Sequence, residues 1–160
     1  SDLEYSEKKS QSRELTLQDL AKTAAANGFD LNRDFGDSVN GWLTQIENGT
    51  DINIIKKTIR DTAALGVPEN VKSLLNQGVD LESVYAPYKR VMASVLEINP
   101  ESITLDDPLL RSAIGPDKEM SIYDFQRSLR KDPRWQNTNN ARETVSTAVL
   151  GVLQDFGYQG

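Results

Sequence analysis

The fold is decided by residues 80–98, DLESVYAPYKRVMASVLEI. Apolar side chains recur every three or four positions, which places them on one stripe of an α-helix: Leu81, Val84, Tyr85, Tyr88, Val91, Met92, Val95 and Leu96. Asp80 stands where a cap belongs, and Asn99-Pro100 ends the helix because proline drives its predecessor out of the helical region. Pro87 either bends this helix or begins a second segment inside it. A stripe this broad must be covered by helices on more than one side.

The rest of the chain supplies such helices and separates them with capping residues, glycines and prolines. Apolar residues at helical spacing predict further helices within 16–28, 34–49, 51–66, 68–78, 107–115, 121–132 and 139–156. We therefore predict an all-α fold, a single compact domain of about seven to eight short helices around the longer, kinked helix at 80–98.

The two ends of the chain differ in pattern. Residues 1–15 are polar and carry few apolar anchors, so we predict a flexible leader or tail, either mobile or a solvated leader helix, before a helical domain at 16–160. Because the chain opens with Ser1 and not Met, we expect a fragment or a processed product. The final helix is predicted from about Asn139, with an inward face formed by Val145, Ala148, Val149, Val152, Leu153 and Phe156.

A short pattern of glycine, one residue, then aspartate occurs three times. The tetrapeptides are GFDL at 28–31, GTDI at 49–52 and GVDL at 78–81, and the last two lie 29 residues apart. Glycine suits the left-handed position after a helix and aspartate caps the next one, so each copy predicts a helical-hairpin joint. A duplicated unit of a short solenoid-like array and locally recurring corner chemistry both explain the repeat, and both stay open.

Composition excludes several function classes. A hydrophobic fraction of 38% with a net charge of −6 is typical of a soluble globular protein, and the acidic balance disfavours nucleic acid. No apolar run approaches the roughly 20 residues of a membrane span, and no signal peptide is visible. The chain has no cysteine and no histidine, which removes thiolates, disulfides and the commonest general base and metal ligand. We expect no enzymatic activity, no catalytic residue, no cofactor and no metal.

Two groups of carboxylates nevertheless need an explanation. Residues 30–34, DLNRD, have the alternating oxygens that open a calcium loop, but Phe35 and Gly41 replace the required glycine and glutamate. The adjacent pair Asp106-Asp107 could serve acid–base chemistry, although an aspartate before Pro108 is also a helix start. Helix capping explains both groups without a ligand.

The most distinctive charge feature is the basic corner, which we define as residues 127–142. Residues 1–118 carry 19 acidic and 13 basic residues, which accounts for the whole net charge of −6. The basic corner instead contains Arg127, Arg130, Lys131, Arg134 and Arg142 around Trp135. Arginine and tryptophan are favoured at interface hot spots, so we predict a protein-binding surface centred on Arg130, Arg134 and Trp135. The alternative is a solvated helix face with Trp135 in the core.

The same region resembles a group of tailed-bacteriophage virion structural proteins. The shared pattern is L-R-x-D-P-R-W, T-x-x-A and V-L-x-D-F-G, found here at 129–135, 138–141 and 152–157. Residues 78–98 and DDPLLR at 106–111 resemble the same group. The resemblance implies a non-enzymatic part of the virion tail or genome-delivery apparatus, made in the host cytoplasm. It implies an oligomeric assembly whose partners are other virion proteins or further copies of this chain.

Two other functions stay open from the sequence. The chain could be the non-catalytic C-terminal domain of a larger phage enzyme-bearing virion protein, such as a cell-wall hydrolase. It could also be a host helical adaptor that has no viral role. Neither the virion component nor the host is specified by any motif in the chain.

Overall fold

The computed structural model describes residues 1–155 and 157, and its regular structure is helical. The α-helices are α1 (Asp2–Ala26), α2 (Leu31–Glu47), α3 (Ile52–Ala63), α4 (Glu69–Asn76), α5 (Leu81–Leu96), α6 (Pro108–Arg111), α7 (Ile122–Leu129) and α8 (Asn139–Asp155). Short 3₁₀ turns occupy Ala64–Gly66, Pro100–Ser102 and Pro133–Asn137. No strand occurs in this part of the chain, so the all-α prediction is confirmed.

The structure divides into two compact units whose boundary along the chain falls inside α5. The first unit contains residues 1–85 and 114–118, and the second contains residues 86–113 and those from 119 onward. The domain limits expected from the sequence, 1–15 and 16–160, stay a prediction.

The first helix of the first unit starts earlier than the sequence suggested. Ser1 caps α1: its hydroxyl accepts the Glu4 N–H at 3.3 Å, and its amino group donates to the Glu4 carboxylate at 3.3 Å. The start expected at Thr16 is wrong, because the Thr16 hydroxyl donates to the Ser12 carbonyl inside a continuous helix. The early turns carry no apolar stripe, so periodicity could not indicate them, whereas Ser1-x-x-Glu4 is a capping box.

The core of the first unit is built by the amphipathic faces of α1, α2 and α3. Its buried residues are Leu20, Ala24, Leu31, Val39, Trp42, Leu43, Ile55 and Ile59. Phe35 connects two aromatic contacts at the edge of this cluster, because its ring lies 5.1 Å from Phe29 and 5.4 Å from Trp42. Offset and edge-on aromatic pairs of this kind add to the burial of apolar area.

The predicted glycine joints are confirmed. Gly28, Gly49 and Gly78 have φ of 84°, 101° and 91°, the left-handed region that side chains with a Cβ avoid. In each joint the residue after glycine closes the helix with a long backbone bond, as Phe29 N–H does to the Ala24 carbonyl at 2.8 Å. The aspartate that follows can then cap the next helix, as the Asp51 carboxylate does by accepting the Asn53 N–H at 2.9 Å.

A buried asparagine fastens the start of α5 within the first unit. Asn27 is 1% exposed, and its amide nitrogen donates to the Thr23 carbonyl at 2.8 Å and to Asp80 Oδ1 at 2.9 Å. Its amide oxygen accepts the Leu81 N–H at 3.0 Å, and Arg60 Nε donates to the same Asp80 oxygen at 2.9 Å. Asn27 therefore joins the end of α1 to the first turn of α5.

The stripe of α5 is inside the protein as predicted. Leu81, Tyr85, Tyr88, Met92, Ala93 and Leu96 are buried, and Val84, Val91 and Val95 are half-buried. The helix continues through Pro87, so the alternative of a second segment beginning there is wrong.

The second unit packs α6, α7 and the start of α8 with the later residues of α5. Tyr88 stands at its centre: the ring meets Phe125 edge-on at 5.3 Å, and the hydroxyl donates to the Met120 carbonyl at 2.6 Å. The loop between α6 and α7 is closed by the Met120 N–H, which donates to the Ala113 carbonyl at 2.7 Å.

Candidate functional site

The amino end of α8 is held by side chains from two places in the second unit. Thr138 supplies a hydroxyl oxygen that accepts the Ala141 N–H at 3.0 Å. Glu97 supplies a carboxylate whose two oxygens accept the N–H groups of Asn139 and Asn140, each at 3.2 Å. A carboxylate is favoured there because the first N–H groups of a helix lack partners and point toward it. The direction of α8 is therefore set at its first turn.

Glu97 has an unusual backbone to reach this position. Its φ is 54°, and it is the only non-glycine residue with positive φ in the described part of the chain. It ends α5 as the joint glycines end their helices, with the Ile98 N–H bonded to the Ala93 carbonyl at 3.1 Å. The left-handed conformation costs about 1–2 kcal/mol for a residue with a Cβ, and the bonds to α8 offset that cost.

Beyond its first turn, α8 exposes the face that was predicted to point inward. Ala141 is 3% exposed, but residues 142–150 are all exposed. The exposed fractions of the large apolar side chains are 60% for Val145, 53% for Val149, 46% for Leu150, 55% for Val152 and 37% for Leu153. The inward prediction is wrong for Val145, Ala148, Val149, Val152 and Leu153, which are all exposed, and Phe156 lies outside the described residues. Spacing shows which side chains share a face, but not what covers it.

The two sides of α8 differ in chemistry. At 100° per residue, Val145, Val149 and Val152 lie on the same side as buried Ala141, whereas Thr147 and Leu150 lie on the opposite side. No charged residue occurs from 144 to 154. We call the side formed by Val145, Ala148, Val149, Val152 and Leu153 the α8 apolar face. It is an uncharged surface that no residue within 1–155 or 157 covers after the first turn.

Arg134 in the basic corner is engaged within the second unit. Its Nη1 lies 2.9 Å from Asp107 Oδ2, and its Nε lies 3.0 Å from Asp132 Oδ1. These hydrogen bonds hold the pKa of both carboxyls below its usual range and raise the pKa of the guanidinium. Asp107 also caps α6 and Asp132 caps the turn at Pro133–Asn137. Arg134 therefore ties two caps together.

The other two predicted binding residues have different environments. Trp135 is half-buried, and its Nε1 is inaccessible and lacks a hydrogen-bond partner among the described residues. Arg130 is exposed and has no ion-pair partner in the same part of the chain. The predicted surface centred on Arg130, Arg134 and Trp135 stays a prediction. Of the two arginines at its centre, Arg134 is paired and Arg130 is not.

The carboxylates of residues 30–34 serve a helix start. Asp30 Oδ1 accepts the Arg33 N–H at 2.9 Å, and Asp34 Oδ2 accepts the Asp30 N–H at 2.8 Å. Arg33 also bonds to Asp34, which lowers the pKa of the Asp34 carboxyl. Across residues 1–155 and 157, no three acidic side chains are grouped to hold a metal ion.

A groove between α1 and α2 has no signal in the sequence. Its volume is about 550 Å³, and its lining includes Lys8, Lys9, Arg13, Leu43 and Glu47. Glu47 lies 3.0 Å from Arg13 Nε and 3.9 Å from Lys9 Nζ, so the carboxylate offsets part of the positive charge. The groove carries no buried, unpartnered group that indicates a ligand.

Comparisons with known proteins give no relative. No protein-family model, no curated protein sequence and no solved structure matches the chain significantly. None of the helices formed by the described residues has the length and apolar character that a membrane crossing requires. Function must therefore be inferred from the residues of this chain and from the motif resemblance.

Proposed function

We propose that the chain is a non-enzymatic structural and interaction module of a bacteriophage virion, in the tail or the genome-delivery apparatus. The observation that carries this proposal is the α8 apolar face, where Val145, Val149 and Val152 are each more than half exposed. Contiguous exposed apolar surface of this kind is typical of protein interaction sites, because removing it from water is favourable.

The chemistry of this surface favours docking over catalysis. Residues 144–154 offer no acid, base or metal ligand, and their hydroxyls are those of threonine and serine on an open helix. An active site needs polar groups converging in a concave, shielded pocket, and the α8 apolar face is convex and open. Such a face can instead bind another protein and become buried in the interface.

The phage assignment is supported by the structural roles of the residues that carry the resemblance. In L-R-x-D-P-R-W, the aspartate and second arginine are Asp132 and Arg134, which bond to each other. In T-x-x-A, the threonine and alanine are Thr138 and Ala141, which form the cap of α8. The first two parts of the pattern therefore form the turn and the cap at which α8 begins, and the third part includes Val152 and Asp155 near the end of α8. The resemblance lies in the element that carries the exposed face.

The basic corner has a supporting role in this proposal. Arg134 forms ion pairs with Asp107 and Asp132, so its main role is to stabilise the structure of the basic corner. Arg130 is free to meet an acidic group of a partner, and such a contact weakens as salt screens it. Other virion proteins or further copies of the chain are the proposed partners.

Mass spectrometry of purified particles tests the proposal. Peptides from residues 1–155 are expected in gradient-purified virions, at the abundance of a structural component and resistant to a high-salt wash. A matched gradient fraction from uninfected cells is the control. Recovery only from the host soluble fraction overturns the proposal in favour of a host adaptor. Recovery inside a longer polypeptide that also contains a cell-wall hydrolase identifies the enzyme-bearing alternative.

A further inference from the structure

We infer that the α8 apolar face pairs with the same face of a second copy of this chain, in an antiparallel arrangement with two-fold symmetry. This inference rests on the proposed function and names the partner of the same surface. Three properties of α8 support a second copy over a different protein: its lack of charge, the symmetry of its pattern and its size.

The lack of charge permits identical faces to meet. Two copies of a chain with a net charge of −6 repel each other over most of their surfaces. The stretch from Thr144 to Gln154 contains no ionisable side chain, so two such stretches can approach without like charges coming together. An acidic or basic partner would find no complementary charge on this face.

The pattern along α8 is self-complementary. Arg142, Val145 and Ala148 lead to the midpoint of the face, and Val149, Val152 and Asp155 lead away from it at the same intervals. An antiparallel pair centred there sets Val145 against Val152, and Arg142 of one copy near Asp155 of the other. Neither charge has an ion-pair partner among the described residues. A two-fold contact requires this property, because one patch supplies both sides.

The size of the face fits a reversible dimer. The four large apolar side chains of the α8 apolar face, Val145, Val149, Val152 and Leu153, expose on the order of 350 Å² per copy. With the polar rim included, two copies approach the roughly 1,200 Å² at the lower end of specific complexes. We therefore expect an equilibrium of monomer and dimer within the micromolar range.

Sedimentation equilibrium of the full chain measures this directly. The wild type is expected to move from monomer to dimer mass as concentration rises from low to high micromolar. Val149→Asp should abolish the shift, because it buries two carboxylates near the symmetry axis. Thr147→Asp adds the same charge on the opposite side of α8 and should leave the shift unchanged. Circular dichroism of both variants checks that they are folded.

Cysteine crosslinking tests the antiparallel order, because the chain has no cysteine of its own. Ala148→Cys lies next to the axis and should form a disulfide-linked dimer under mild oxidation. Val145→Cys alone should not, since its own copy lies seven residues away, about 10 Å along the helices. A mixture of Val145→Cys and Val152→Cys should crosslink. Efficient crosslinking of Val145→Cys alone contradicts the antiparallel order.

The results separate this inference from the proposed function. A wild-type chain that stays monomeric at every concentration, or a dimer that survives Val149→Asp, overturns the pairing of α8. If that chain is still a component of purified particles, the virion function stands and a different protein covers the face. If it dimerises as expected but is absent from particles, the pairing stands and the virion function fails.

Discussion

The carboxylate of Glu97 accepts the backbone N–H of Asn139 at 3.2 Å, although 42 residues separate the two along the chain. The same side chain accepts the Asn140 N–H, and its own backbone is left-handed with φ of 54°. One residue thus ends α5 and caps α8. The left-handed backbone of Glu97 lowers the free energy of unfolding, and its capping bonds to α8 raise it. Substitutions at Glu97 can therefore measure the two contributions separately.

Substitutions at Glu97 are expected to show both the stabilising cap and the destabilising backbone conformation. Glu97→Ala removes the cap and keeps the unfavourable φ, so the free energy of unfolding should fall by about 1–2 kcal/mol. Glu97→Gly removes the cap but relieves the backbone, so it should be less damaging by about 1 kcal/mol. Urea denaturation measures both, with Glu101→Ala as an exposed control. A glycine variant less stable than the alanine variant contradicts this account.

Two arginines of the basic corner should differ in their effect on stability. Arg134→Ser breaks bonds to Asp107 and Asp132, and because Arg134 is partly exposed we expect a loss of only about 1 kcal/mol. Arg130→Ser removes an unengaged cation and should change stability by less than about 0.5 kcal/mol. Thermal melts of the single and double variants provide the comparison. Lost incorporation into particles by Arg130→Ser at unchanged stability supports docking, and equal melts for both arginines contradict the assignment.

Acid should weaken the second unit through Asp107. Its hydrogen bond to Arg134 lowers the pKa of this carboxyl in the folded state, below the value of about 3.9 for an unfolded aspartate. The resulting stability is fully present above that value and is lost as pH falls through the lower folded pKa. Asp107→Asn should therefore reduce the drop in melting temperature between neutral pH and pH of about 3. Asp106→Asn, at the exposed neighbour, should leave that drop unchanged.

The joint glycines should not tolerate a side chain. Gly78 has φ of 91°, so Gly78→Val should lower the free energy of unfolding by about 1–2 kcal/mol even though no atom obstructs the new Cβ. Gly66 is equally unobstructed but does not have positive φ, and Gly66→Val should cost less than about 0.5 kcal/mol. Chemical denaturation of both variants under the same conditions measures these two changes in the free energy of unfolding. Equal free energies of unfolding for Gly78→Val and Gly66→Val would contradict the hairpin-joint interpretation.

The sequence predicted those features whose signals are local. The three-and-four spacing from Leu81 to Leu96 indicated α5 because a core helix must present its apolar side chains on one face. The glycines at 28, 49 and 78 could be assigned because only glycine takes a left-handed backbone without a penalty. Asp107 before Pro108 indicated the start of α6 because aspartate and proline are favoured at a helix N-terminus, and Asp107 does cap that helix.

What the sequence missed depends on residues that are distant along the chain. Asn27 reaches Leu81 across 54 residues, and nothing near either residue indicates the bond. Glu97 takes a left-handed backbone that propensity assigns to glycine, because its side chain is needed at α8. The burial of Val145 and Val149 was misjudged since periodicity specifies a face and not its neighbour. At the candidate site, the spacing of apolar residues therefore predicted the helix α8 correctly but predicted the burial of its apolar face wrongly.

The exposed position of α8 has a consequence for its own order. From Arg142 onward the helix gains little from packing, and Val145, Val149, Val152 and Gly151 are weak helix formers. An isolated helix of about this length is marginal in water, so its amide hydrogens should exchange with solvent far faster than those of α5. We expect a partner that covers the apolar face to slow that exchange. Recognition and ordering then become one event, which lowers affinity for each unit of buried area and makes the attachment easy to reverse.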